Sequence, residues 1–171
     1  MTKPYWHRQT QAQPLFPDLL WSRPENRSLA GKLLIVGGNL HGFSAPAEAY
    51  EQASRAGAGA VRVILPDSLQ KTVGKVFEAG EYAPANPSGS FGQGALTELL
   101  SFGSWADGIL LAGDFGHNSE TAMLLESFVA RYKGQLTLTA DTVDYVITNP
   151  LPMLNRPDTT LVISFAQLQK I

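Results

Sequence analysis

LLIVGGNLHGFSAP occupies residues 33–46. Four apolar residues run into Gly37 and Gly38, a polar bend follows, and Pro46 opens a helical pattern. A short, continuous apolar run suits a strand buried on both faces. Paired glycines at its end serve either a turn with positive φ or close approach of backbone to a ligand.

Outward from this stretch the chain alternates. KLLIVGG (32–38) is the first strand, and APAEAYEQASRAGA (45–58) the first helix. Pro46 fits that helix's first turn and Gly57 ends it. AVRVILP (60–66) is a strand stopped by Pro66, and DSLQKTVGKVF (67–77) a helix with Asp67 as N-cap. EAGEYAPANPSGSFG (78–92) is Pro/Gly/Ser-rich and reads as a loop long enough to be functional or mobile. Next come a helix over 93–105, the strand DGILLAG (107–113) and a helix over 118–132. Asn118 or Ser119 caps the last of these, and Ala122, Leu125, Phe128 and Val129 form its apolar stripe. QLTLTAD (135–141) is a strand, TVDYVIT (142–148) a short helix, TTLVISF (159–165) a strand, and AQLQKI (166–171) the first turns of a helix.

Strands alternating with helices predict an α/β fold: an open, mostly parallel sheet with helices on both faces. Residues 31–171 form this domain. Residues 1–30 are polar and proline-broken and read as an N-terminal arm. Its Trp6, Phe16, Leu19, Leu20 and Trp21 pack onto the domain or another subunit, or the arm is a partly disordered lead-in.

Composition narrows the function. The chain has 171 residues, 44% hydrophobic and 16% charged, with a net charge of −2. That balance gives no electrostatic case for nucleic acid or an anionic membrane. With no cysteine, disulfides, thiolate metal sites and Cys nucleophiles are excluded. No apolar run reaches spanning length and no signal-peptide core opens the chain, so a cytoplasmic location is expected. No carboxylate pair spaced for glycosidase work, Walker loop, metal-binding His pair or Gly-x-Ser-x-Gly elbow is found.

Ligands of such sheets bind beyond the carboxyl ends of the strands. The residues there are Gly37, Gly38 and Asn39; Pro66 and Asp67; Gly113, Asp114, Phe115, Gly116 and His117; Asp141; Ser164 and Phe165. Gly37 and Gly38 suit ligand proximity or a turn. Ala45 with Pro46 is a helix start, with or without a ligand. Gly113, Gly116 and His117 form a ligand-facing loop or a plain strand-to-helix turn, and Asp114 argues against phosphate there. Asp141 is either a crevice carboxylate, able to bind a metal–phosphate or a ribose hydroxyl, or an N-cap.

These strand ends also carry a resemblance. GKLLIVGGNLHGFSAPAEAYEQASRAGAGAVRVILPD (31–67) resembles the opening of the ADP/ATP-dependent NAD(P)H-hydrate dehydratases, members of the ribokinase-like superfamily. Gly31, Gly37, Gly38, Ala45, Pro46 and Arg55 to Gly59 match that pattern. ADGILLAGDFGHNSETAMLLESF (106–128) looks like the family's Gly-Pro-Gly-Leu-Gly segment, with Gly113 and Gly116 on its glycines, and QLTLTADTVD (135–144) is similar to its Asp-Ala-Asp strand at Ala140 and Asp141. The resemblance implies repair of a hydrated nicotinamide ring, with NAD(P)H hydrate as substrate and ADP or ATP, with Mg, driving loss of water. It implies cofactor-binding roles for Gly37, Gly38, Asn39, Ala45, Gly113, Gly116 and Asp141.

The chain departs from the pattern at Asn39, Ser44, Asp114, Thr139 and Ser164, and the family's late Gly-Ser-Gly-Asp motif is absent. That motif supplies the catalytic Asp and an anion hole, so no catalytic residue is assigned and no metal ligand is expected. The resemblance therefore implies a dehydratase-like chain that is incomplete or inactive by itself. A non-catalytic nucleotide-binding or assembly protein and a small-alcohol kinase stay open on the same fold. The pattern breaking off after the last strand predicts an exposed apolar face covered by another subunit, hence a homo-oligomer, or by further sequence.

Overall fold

A computed structural model describes residues 10, 12, 15–18, 24–75, 77 and 79–170. The arm residues Trp6, Leu19, Leu20 and Trp21 lie outside these; Phe16 lies within them and is exposed.

Among the described residues, six parallel strands make one sheet: β1 (Lys32–Gly37), β2 (Ala60–Pro66), β3 (Gly80–Ala83), β4 (Gly108–Gly113), β5 (Gln135–Leu138) and β6 (Thr159–Leu161). Their order is β3-β2-β1-β4-β5-β6. The chain steps outward from β1 to β3, then returns to the other side of β1 and steps outward again. The reversal falls between β1 and β4, which places the topological switch point there. The expected parallel α/β sheet is present.

The apolar run at 33–36 sits in the middle of that sheet because nothing else satisfies it. Leu34, Ile35 and Val36 are fully buried, and so are Val63, Ile64 and Leu65 of the neighbouring strand, with Ile35 opposite Val63 and Val36 opposite Ile64. Each such side chain contributes about 1.5–3 kcal/mol by leaving water. Alternate residues feed two cores. One holds Leu34, Val36, Ile109, Leu111, Leu136 and Leu138 beneath α3 (Leu96–Trp105), α4 (Ser119–Arg131) and α5 (Asp141–Ile147). The smaller holds Ile35, Val63, Leu65 and Ala112 beneath α1 (Ser44–Arg55) and a turn that ends in α2 (Gln70–Val73). The α4 stripe faces the first core, with Leu125, Phe128 and Val129 buried and Ala122 half-buried. Asn118 caps α4, its side chain accepting from the amides of Glu120 and Thr121.

Several elements differ from the sequence expectation. The segment 78–92 holds β3, which pairs with β2 from Val63↔Gly80 to Pro66↔Ala83. Gly-Glu-Tyr-Ala carries no apolar alternation, so only the ladder to β2 makes it a strand. The rest of that loop is pinned rather than loose: the Asn86 side chain accepts from the Ser88 amide at 3.0 Å and the Ser90 amide at 3.2 Å. The predicted helix over 67–77 is a 3-10 turn, Asp67–Leu69, running into the single turn of α2. Asp67 does not cap it; its carboxylate accepts from the Ala85 amide at 3.0 Å and so anchors the exit of β3. The strand predicted over 135–141 stops at Leu138, because the Thr142 hydroxyl closes onto the Thr139 carbonyl and turns the chain into α5. The strand predicted over 159–165 stops at Leu161, because Ser164 and Gln167 form a capping box that starts α7 (Phe165–Leu168). A further turn, α6 (Leu151–Leu154), precedes β6.

Around the β6 edge, Leu151, Leu154, Val162, Phe165 and Leu168 are exposed.

Candidate functional site

The carboxyl ends of β1 and β4 meet without side chains between them. Gly37 is paired to Gly113 across a register shift, and the Gly38 amide donates to the Gly113 carbonyl at 3.0 Å. A Cβ on Gly37 would overlap that carbonyl. A Cβ on Gly113 would lie 2.9 Å from Ala140 Cβ, 3.3 Å from Asp141 Oδ1 and 3.6 Å from Ala45 Cβ. Four segments therefore converge at the switch point: the β1–α1 bend, the β4–α4 loop, the β5–α5 turn and the first turn of α1.

The backbone is unusual at this convergence. Gly113 has φ 120°, and Asp114 and Ala140 have φ 61° and 52°. Non-glycine residues in this region are uncommon and cluster where structure over-determines them. Asp114 is over-determined. Its Oδ2 accepts from the Ala45 amide at 2.8 Å and the Ser44 hydroxyl at 3.2 Å. Its carbonyl accepts from Asn39 Nδ2 at 2.6 Å, and Asn39 Oδ1 in turn accepts from the His41 amide at 2.7 Å. The carboxylate thus serves the first turn of α1, whose N-cap position, Phe43, offers no side-chain acceptor.

Asp141 opens α5 as its first helical residue and does not cap it. Its Oδ2 instead accepts from the Phe115 amide at 2.8 Å and so fixes the β4–α4 loop. Its Oδ1 is buried and has no hydrogen-bond partner among the described residues. Burial pushes the Asp141 carboxyl above the ordinary carboxylate range, Asp114 adding to the shift; the amides of Phe115 and Gly116, and His117, act in the opposite direction.

The remaining strand-end residues divide. Gly116 (φ 71°) lies against Ser90 and Asn39, joining the β4–α4 loop to the loop after β3. His117 is exposed and Ser164 is occupied in its capping box. Thr139 donates to the Ala112 carbonyl at 2.9 Å, a bond no Asp could make at that position while ionised. The structure thus gathers Gly37, Gly38, Asn39, Ala45, Gly113, Gly116 and Asp141 around the switch point and leaves His117 and Ser164 outside their hydrogen bonds. Two participants escaped the sequence reading. Ser44 stands out only as a departure from a glycine, and Asn86 shows only as an Asn-Pro turn signal.

Beside the crevice, on the β1–β2 side, an open groove of about 500 Å³ is lined by Leu40, His41, Phe43, Ser44, Leu69 and Thr72, among others. A hollow of about 140 Å³ between α4 and α5 is lined by Met123, Leu125, Val129, Tyr145 and Met153, with others, away from the strand-end glycines.

No family model matches the chain, and no curated protein matches its sequence. Its fold does have counterparts among solved structures. The crystal structure of a ribokinase-like superfamily protein from Enterococcus faecalis V583 superposes with a TM-score of 0.68 at 15% identity, over 86% of this chain and 51% of that one. The fold is therefore the ribokinase-like α/β fold, and this chain spans about half the length of that protein. No helix among the described residues is long and apolar enough to cross a membrane.

Proposed function

We propose that this chain is a dinucleotide-binding protein of NAD(P)H-hydrate dehydratase type, whose crevice holds the uncharged end of the ligand without turning it over. The observation that carries the reading is the side-chain-free convergence of Gly37 and Gly113 at the switch point, with Ala45 and Asp141 against it. Ligands of open α/β sheets bind at that place, and the sequence there resembles that family. The adjoining groove is of the size that takes small molecules, and His41 is the one ionisable side chain among its lining residues.

ADP or ATP with Mg, which the resemblance implies, does not fit these residues. The first amide of α1 aimed at the crevice is taken by Asp114. The strand-end segments 37–44, 66–69, 84–92, 113–118, 139–142 and 162–164 contain no lysine or arginine. Among the described residues, no group of three acidic or histidine side chains is placed to hold a metal ion. Binding without turnover is therefore favoured over dehydration by this chain itself. A cytoplasmic location and a homo-oligomer closed over the apolar β6 edge belong to the same reading.

Calorimetric titration with NADH, NADPH and their hydrates tests it. Saturable binding is expected, with no recovery of reduced-cofactor absorbance when ADP or ATP is added. Absence of any dinucleotide binding overturns the reading. Recovered absorbance overturns the non-catalytic part of it.

A further inference from the structure

The misfit of phosphate to this crevice has a specific cause. A helix N-terminus presents amides and a partial positive charge that favour an anion. At α1 that anion is already present, supplied by the chain itself 69 residues downstream of Ala45. Three features hold Asp114 there. Gly113, at φ 120°, turns the chain out of β4; Asp114 adopts φ 61°, which Asp tolerates better than most residues. Asn39 grips its carbonyl from the facing loop at 2.6 Å. The surroundings also repel a further anion, because Asp141 lies beside Asp114 and no lysine or arginine occupies any strand-end segment.

We infer that Asp114 is a specificity-determining residue: it acts as an internal anion that seals the first turn of α1 against phosphate, so that only an uncharged or cationic part of a ligand lies against α1 in the groove lined by Leu40, His41, Phe43 and Ser44. The inference deepens the proposed dinucleotide reading and specifies which end of the ligand the crevice accepts. A phosphate arriving at α1 would have to displace a carboxylate bonded to both Ala45 and Ser44 and would meet like charge from Asp141. A neutral carboxamide meets neither obstacle.

The test uses amide chemical shifts of the whole chain, titrated with inorganic phosphate, pyrophosphate and nicotinamide. In the unaltered protein, Ser44 to Ala47 should not respond to phosphate or pyrophosphate. Asp114→Ser removes both the charge and the reach, and should gain pyrophosphate-dependent shifts at Ala45 and its neighbours, with affinity raised about tenfold or more. Asp114→Asn keeps an acceptor for the Ala45 amide and is the variant to use if Asp114→Ser fails to fold; loss of charge alone should then raise pyrophosphate affinity at α1 severalfold. Equal phosphate responses at α1 in the unaltered protein and a folded variant overturn the inference, as does a folded variant that gains none. Dinucleotide titration is read separately: its failure, with the phosphate result intact, removes the dinucleotide reading and leaves the role of Asp114 standing.

Discussion

Gly37 and Gly113 pair at the carboxyl ends of β1 and β4, so close that a side chain on Gly37 would run into the Gly113 carbonyl, while one on Gly113 would press on Ala140 from the other side. The contact lies at the point where the sheet's winding reverses and holds the crevice floor at backbone thickness. Gly37→Ala forces a Cβ into the Gly113 carbonyl and should destabilise the protein by about 1–3 kcal/mol, the range of overpacking in a well-packed interior. Gly42→Ala, a few residues on, meets nothing within 4 Å and should be close to neutral. Thermal melts of the two variants side by side check the pair; equal effects would mean that the floor is not close-packed.

Asp141 predicts a pH dependence whose sign follows from its burial. Its folded carboxyl titrates above the ordinary range, so the folded state holds a proton that the unfolded chain has released. Stability from this group is therefore highest below about pH 4, the unfolded value, and declines as pH rises toward the folded one. Asp141→Asn keeps an acceptor for the Phe115 amide and removes the desolvated charge. It should raise the melting temperature at neutral pH, with the gain shrinking toward pH 4. A gain that is constant with pH, or a loss at neutral pH, would contradict this account.

Arg156 fastens the approach to β6. It donates to the Tyr132 carbonyl at 2.6 Å, the Gly134 carbonyl at 2.7 Å and Thr159 Oγ1 at 2.9 Å, and lies over the Tyr132 ring. A planar fork makes these bonds together, and an ammonium cannot. Arg156→Ala should cost about 1.5–3 kcal/mol, and Arg156→Lys should recover less than half of that. Denaturant melts give both values; full recovery by lysine would show that charge rather than geometry matters.

Asn86 is buried and organises the loop that walls the crevice beyond Gly116. Asn86→Ala leaves the amides of Ser88 and Ser90 without their acceptor and should cost about 1–3 kcal/mol. Amide hydrogen exchange should speed up over Ser88–Gly92 while β1 and β4 keep their protection. Faster exchange spread evenly over the sheet would instead assign Asn86 to global stability.

The sequence alone determined the parallel α/β class, because LLIV at 33–36 and VIL at 63–65 are continuous apolar runs that only a strand covered on both faces can bury. It also marked Gly37, Gly38, Gly113 and Gly116 at the ends of β1 and β4, but overran the strands expected over 135–141 and 159–165, which stop at Leu138 and Leu161 and leave Asp141 as the first residue of α5. Tertiary structure decided the rest. Gly80–Ala83 is a strand only because β2 lends it a ladder. The order β3-β2-β1-β4-β5-β6 is set by packing between elements distant in sequence. The meeting of Asp114 with Ala45, 69 residues apart, depends on two loops being brought together at the switch point. Local propensity carries no information about which carboxylate will fill a given helix end once the sheet has closed, and at this crevice that choice sets the charge a ligand encounters.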